Sequence, residues 1–258
     1  MKQVSEFDSK IDFVLTDIDD TLTDQGRLGP EAYQALWDLH RQGKIVIPVT
    51  GRPAGWCEMI ARLWPVAGVI GENGGFYFRY HQQKMIRHFF CDDQEQNKNR
   101  HKLNLLQTQI LQQVPGCAVA SDQFTRLMDL AIDFCEDVPA LQPEDVQKIV
   151  NLFEAAGAHA KVSSIHVNGW FGDYNKLSQS LNFLKTEFGV SNEDAKKRAI
   201  FVGDSPNDEP MWEFFPQGFG VANIQKFLNL VKHPPAYVAN APGGLGFGEI
   251  SQRILSLG

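Results

Sequence analysis

Three carboxylates crowd four positions of this sequence, Asp17, Asp19 and Asp20, directly after the apolar run 11–15. Like charges this close repel, so a fold rarely gathers them at a strand end for stability alone. Two kinds of chemistry account for them: a divalent cation, or a reacting group that needs one ionised and one protonated acid. An acidic turn capping a helix is the plainer alternative, and the D-x-D-x-T spacing by itself does not decide between them. A second acidic pair, Asp204 and Asp208, follows the apolar run 199–202 within Gly-Asp-Ser-Pro-Asn-Asp. Thr50 closes a third apolar run, and Lys176 opens a segment of helical spacing.

The elements that must position these residues follow from periodicity. Residues 11–15 read as a short buried strand, 23–30 as a loop or small flap, and 31–42 as an amphipathic helix with Gly43 at its end. A second strand covers 44–50, and Gly51-Arg52-Pro53 turns it into a helix over 56–63. A third strand, 66–70, ends in Gly-Glu-Asn-Gly-Gly. This alternation predicts an α/β fold, a doubly wound parallel sheet. From about Phe76 the pattern changes to a hairpin (76–78 with 85–90), a long polar helix (93–114), a strand (127–134), a helix (143–156) and a strand (160–167). The alternation resumes with a helix over 175–188, strands at 199–202, 218–222 and 235–238, and a closing helix over 248–257. The expected organisation is a discontinuous core, residues 1–78 and 171–258, interrupted by an inserted α+β cap over 79–170. In a parallel sheet the C-terminal strand ends share one edge, and ligands bind outside it. If the strands are neighbours, the two acidic clusters meet there as a hard-oxygen site for Mg²⁺, which favours a phosphate as a further ligand.

Composition narrows the partners. Of 258 residues, 43% are hydrophobic and 21% charged, the balance of an ordinary soluble globular protein. A net charge of −7 argues against a nucleic-acid backbone but not against a small phosphorylated substrate, which needs only one local cation. No apolar run reaches the roughly 18 residues of a membrane span, and residues 1–10 are too polar for a signal peptide. The four cysteines form no C-x-x-C pair and read as reduced thiols of a cytoplasmic protein.

Four blocks in order resemble the haloacid dehalogenase superfamily of phosphohydrolases, in the branch whose cap lies between its second and third motifs. They are D-I-D-D-T-L at 17–22, T-G-R at 50–52, Lys176, and G-D-S-P-N-D at 203–208. E-N-G-G at 72–75 is similar to that branch's E-N-G-A loop, and 220–223 is similar to its G-V-A-M-x-N-A run with residues missing. The resemblance covers about 12–75 and 173–254. It implies that Asp17 is the nucleophile, forming an aspartyl-phosphate, and that Asp17, the Asp19 carbonyl and Asp204 hold Mg²⁺. It further implies that Asp19 protonates the leaving group and then activates water. Thr50 would donate to a phosphoryl oxygen, and Lys176 would hold phosphate and Asp17 together. Asp208 would complete the metal site by positioning Lys176 or a metal-bound water. Lys176 departs from the branch pattern, being followed by Leu-Ser rather than glycine. The plainer roles are helix caps: Thr50 for the next helix, and Asp173 for a helix on which Lys176 is a surface residue.

Specificity should come from the cap and the core loops facing it. Gly51, Arg52, Asn73 and Asn207 lie in those loops, and Arg52 either touches substrate or pairs with a nearby carboxylate. Residues 163–170 read as the return from the last cap strand, with His166 and Asn168 sent to one face by alternation. Arg126 and Asp129 read as an ion pair outside the site. The expected activity is Mg²⁺-dependent hydrolysis of a small phosphorylated metabolite, a sugar phosphate by family analogy, with no nucleic acid or membrane as partner. A sugar phosphomutase using the same two aspartates and a non-catalytic phosphometabolite-binding protein are the alternatives.

Overall fold

The apolar runs form the parallel sheet that their periodicity predicts. Strand β1 (Lys2–Gln3) precedes β2 (Phe13–Thr16), the run that ends in the acidic cluster. In the computed structural model, which describes residues 1–163 and 165–258, all four residues of β2 are buried. A flap follows, β3 (Thr23–Asp24) paired antiparallel with β4 (Arg27–Leu28). Helix α1 (Pro30–Arg41) buries Ala32, Leu36 and Leu39, the face its spacing marks out. Strand β5 (Ile45–Pro48) pairs parallel with β2, and α2 (Ala54–Leu63) leads to β6 (Val69–Gly71).

The hairpin of β7 (Phe76–His81) and β8 (Lys84–Phe89) joins β6 antiparallel. A parallel bridge from Val49 to Ile70 ties this sheet to the end of β5. Helix α3 (Asp93–Gln113), β9 (Ala118–Val119), β10 (Asp129–Asp133), α4 (Pro143–Ala155), β11 (His159–Val162) and β12 (His166–Trp170) follow. Their antiparallel sheet runs β11-β12-β10-β9. Its core gathers Leu106, Ile110, Ile132, Ile149, Phe153 and Val167, apart from the two clusters that flank the parallel sheet. Helix α5 (Lys176–Phe188), α6 (Asn192–Arg198), β13 (Ala199–Gly203), α7 (Glu209–Phe214), β14 (Phe219–Gly220), β15 (Tyr237–Val238) and α8 (Gly243–Ser256) complete the chain. The parallel sheet runs β1-β15-β14-β13-β2-β5, so the segments flanking the insertion interleave in one layer.

Three expectations need correction. Residues 160–167 are two strands, β11 and β12, paired antiparallel with His159 opposite Trp170. The reversal is polar: Ser163 Oγ accepts the N–H groups of Ile165 and His166, which strand alternation does not register. Residues 166–170 are therefore an interior strand of the inserted sheet, not a return to the core; Ser164 lies outside the described residues. The closing helix starts at Gly243, because its glycines allow close backbone approach: a Cβ at Gly246 would collide with the Ala241 carbonyl. Finally, the strands at 218–222 and 235–238 shrink to β14 and β15, and Ala222–Leu230 turns as a 3₁₀ helix.

Candidate active site

Register brings the acidic clusters together. Thr16 pairs with Val202 on one side and Pro48 on the other, so Asp17, Thr50 and Asp204 leave the sheet at one edge. Lys176 arrives there from the first turn of α5. Asn175, not Asp173, caps that helix, in a reciprocal capping box with Ser178. Lys176 is buried, and Nζ donates to Asp17 Oδ1 at 3.0 Å and to Asp208 Oδ1 at 3.1 Å. The other Asp208 oxygen accepts the Asp204 N–H at 3.1 Å, so Asp208 ties the lysine to the loop that carries Asp204. The Thr21 hydroxyl donates to Asp204 Oδ1 at 3.3 Å.

The electrostatics of this cluster favour an added cation. Burial, opposed by Lys176 and aided by Asp208 and Asp19, pushes Asp17 up to about 7. Burial together with Asp208 and Asp17 pushes Asp204 up to about 9. Burial opposes the charge of Lys176, but Asp17 and Asp208 outweigh it and hold the ammonium above its ordinary value. Carboxylate oxygens of Asp17, Asp204 and Asp208 lie within 4.8 Å of one another. An all-oxygen donor set with surplus negative charge fits a hard divalent ion. Asp17 and Asp204 are the better placed to hold it, since both Asp208 oxygens already accept from the protein.

The loops around this cluster are locked from behind. Thr50 is fully buried and its Oγ1 accepts the Arg52 N–H at 3.0 Å, while the next helix is capped at Pro53. Thr50 therefore shapes the T-G-R turn and does not cap a helix. Asn73 donates its N–H to the Thr50 carbonyl, and Glu72 and Asn73 both adopt left-handed φ, 44° and 57°. Arg52 takes the carboxylate option: Nε and Nη2 donate to the Asp19 oxygens at 2.7–3.1 Å, with the guanidinium 4.5 Å from the centre of the Trp56 ring.

A pocket of about 400 Å³ opens at this edge, the size of a small-molecule site. Asp17, Asp19, Gly51, Arg52, Asn73, Lys176, Asp204 and Asn207 line it from the parallel-sheet side, and His166 and Asn168 from β12. Thr50 and Asp208, also predicted from sequence, stand behind this wall. His166 Nε2 lies 2.9 Å from Glu136 Oε2, and burial together with Arg126 holds the imidazole below its ordinary value. Asn168 Nδ2 donates to Asp129 Oδ2 at 2.9 Å.

Two residues that sequence reasoning passed over hold the inserted layer against this wall. Arg126, read as outside the site, is buried and lines the pocket. It donates to Asp122, to both Asp129 oxygens and, at 3.1 Å, to the Gly51 carbonyl. Glu72, fully buried, accepts the N–H groups of Ala54, Leu127, Met128 and Asp129. Its placement in E-N-G-G was the available signal. Burial and Asp129 push its carboxyl up to about 7. Glu72→Ala strands four backbone donors, and we expect about 3–4 kcal/mol lower stability in urea unfolding. An unchanged midpoint would show that water replaces the carboxylate without cost.

Comparison with known proteins finds relatives along nearly the whole chain. The family profile described as haloacid dehalogenase-like hydrolase matches residues 14–112. A phosphoglycolate phosphatase of Methanothrix thermoacetophila is 27% identical over 254 residues, covering 96% of this chain and 99% of the relative. Another, from Methanospirillum hungatei, is 27% identical over 92% of this chain and 94% of its own. Among solved structures, a Thermoplasma acidophilum protein aligns with TM-score 0.75 at 19% identity, over 95% and 99% of the two chains. The sucrose-phosphatase of Synechocystis, solved with sucrose and phosphate, aligns with TM-score 0.65 at 17% identity, over 96% and 98%.

Proposed function

We propose that this chain, similar to haloacid dehalogenase-like hydrolases over residues 14–112 and to phosphatases over nearly its whole length, is a phosphatase that carries out Mg²⁺-dependent hydrolysis of a small phosphomonoester of the sugar-phosphate class. The observation that carries this reading is the buried Asp17–Lys176–Asp208 arrangement beside Asp204, at the C-terminal edge of the parallel sheet. Asp17 attacks phosphorus and displaces the alkoxide, and the acyl phosphate so formed is hydrolysed by water. Lys176, 3.0 Å from the nucleophile, offsets the repulsion between that carboxylate and the phosphoryl oxygens. Asp208 holds the lysine in that position. Asp19 gives a proton to the leaving oxygen and takes one from the water. Mg²⁺, held by Asp17, Asp204 and the Asp19 carbonyl, would neutralise phosphoryl charge when bound. Thr50, expected from sequence to contact a phosphoryl oxygen, is buried behind the pocket wall and instead holds the T-G-R turn, its Oγ1 accepting the Arg52 N–H at 3.0 Å. Asn73, Asn168, Asn207 and His166 supply a polar wall suited to hydroxyl groups.

Relatives named phosphoglycolate phosphatase and a neighbour named sucrose-phosphatase support a small substrate. We take residues 1–78 with 171–258 as the core and 79–170 as the cap, supported by the separate apolar cluster of the insertion; β7 runs across residue 78. No helix among the described residues is long and apolar enough to cross a membrane. A cytoplasmic location belongs to the same reading and rests on the cysteine spacing. Phosphate release from a panel of sugar, polyol and acid phosphates, with and without Mg²⁺, tests the proposal. Release that ignores the metal would overturn it.

The raised carboxyls also set a pH dependence. Between the unfolded value of 3.8 and the folded values of about 7 and about 9, the native state binds more protons at Asp17 and Asp204 than the unfolded chain does. Their contribution to stability therefore falls as pH rises, by on the order of 4 kcal/mol for Asp17 alone. Without metal, thermal unfolding should occur at lower temperature at pH 8 than at pH 5, and added Mg²⁺ should raise Tm at pH 8 with little effect at pH 5. A Mg²⁺ shift of equal size at both pH values would contradict this.

A further inference from the structure

We propose that the Arg52–Asp19 pair marks the seat of a carboxylate on the substrate's leaving group. The site then takes phosphomonoesters of small hydroxy acids, sugar acids included, in preference to neutral polyols and sugars. The proposal rests on the phosphatase reading and narrows it. The guanidinium and ammonium groups nearest the acidic cluster are not equivalent. Lys176 is committed to Asp17 and Asp208, and Arg126, 5% exposed, to Asp122, Asp129 and the Gly51 carbonyl. Arg52 differs because its partner has other work. Asp19 keeps 35% of its side chain exposed and must face the leaving oxygen to act on it, yet both its oxygens now accept from Arg52.

The two halves of the pair differ in freedom. Arg52 is pinned on three sides: its carbonyl accepts the Glu72 N–H at 3.1 Å, its N–H donates to Thr50 Oγ1, and its guanidinium lies over Trp56. Asp19, more exposed, is the member able to turn. A guanidinium fork fits a planar carboxylate through two parallel bonds. Exchanging Asp19 for a substrate carboxylate keeps the charge and the bonds of the fork, and it releases Asp19 toward the leaving group. A neutral hydroxyl offers a weaker acceptor and leaves the guanidinium without a counter-charge, so it does not draw Asp19 away. Lys161 of β11 and Lys226 of the 222–230 turn also line the pocket and add positive potential for an acid.

Matched substrate pairs test this: 3-phosphoglycerate against glycerol 3-phosphate, and phosphoglycolate against 2-hydroxyethyl phosphate. Members of each pair share size and leaving oxygen and differ in the carboxylate. With Mg²⁺ present, wild-type kcat/KM should favour the acid by on the order of ten- to a hundredfold, the worth of one charge-assisted contact. Arg52→Gln should bring the ratio near one, and Arg52→Lys, a point charge without the fork, should retain part of it. Equal wild-type rates within both pairs, or a preference that survives Arg52→Gln, would overturn the proposal. The wild-type ratio needs no variant, so a folding defect cannot mask the answer. Release from p-nitrophenyl phosphate and neutral esters without preference leaves the phosphatase reading standing and removes only the carboxylate. No release from any ester, p-nitrophenyl phosphate included, removes both.

Discussion

Asp17→Asn should yield a folded protein whose phosphate release is lower than wild type by on the order of 10⁴-fold or more, the scale of losing a covalent nucleophile. The amide is isosteric with the carboxyl but cannot form the acyl phosphate. The fold should tolerate the change, because Lys176 keeps Asp208 as its counter-charge at 3.1 Å. Stability should even rise at pH 8 in metal-free buffer. Burial pushes the Asp17 carboxyl up to about 7, so the native state pays for its ionisation above that pH, and an amide carries no such cost. Single-turnover phosphate release and thermal unfolding of the same preparation measure both effects. Residual turnover near the wild-type level would end the nucleophile assignment, and a Tm well below wild type at pH 8 would contradict the electrostatic account.

Lys176→Met should have the second largest effect, on activity and stability together. The ammonium is buried between two buried carboxylates, and removing it leaves like charges facing each other out of water. Breaking a buried pair from one side costs about 3–5 kcal/mol, which urea unfolding at pH 8 should show. The sign with pH follows from the carboxyls. Lys176 itself stays protonated across pH 5–8, since its partners hold it above its ordinary value. Without it, Asp17 rises further above about 7, so the deficit opens where the wild-type carboxyl ionises, at about pH 7 and above, and is smaller at pH 5, where both native states hold Asp17 protonated. Phosphate release should drop on the order of 10³-fold, the scale of losing a preorganised electrostatic partner. Equal stability deficits at pH 5 and pH 8 would show that Lys176 acts through packing instead.

Glu72 shows how little of the tertiary network a motif reveals. The E-N-G-G spacing flags a loop, but the same carboxylate collects backbone donors 18 residues away at Ala54 and 55–57 residues away at Leu127, Met128 and Asp129. Arg126 reaches the Gly51 carbonyl across 75 residues. Neither distance leaves a periodic trace, so the pair Arg126 and Asp129 looked like a local ion pair three residues apart, which it also is.

Local physics was enough for the rest. Short, mostly apolar runs read as buried parallel strands because a strand covered on both faces has no polar alternation to show, and β2, β5 and β13 are such strands. The one-edge convergence of Asp17, Thr50 and Asp204 follows from parallel pairing, which obliges C-terminal strand ends to share a side, and Lys176 joins them from the first turn of α5. Tertiary structure alone decided that Arg52 faces Asp19 across 33 residues, that the polar turn after Val162 splits one apolar segment into two strands, and that His166 and Asn168 reach the pocket from an interior strand. The physical reason is the same in each case. Periodicity reports which face of an element is buried, whereas the partner of a buried charge is set by what the assembled fold places within hydrogen-bonding distance of it.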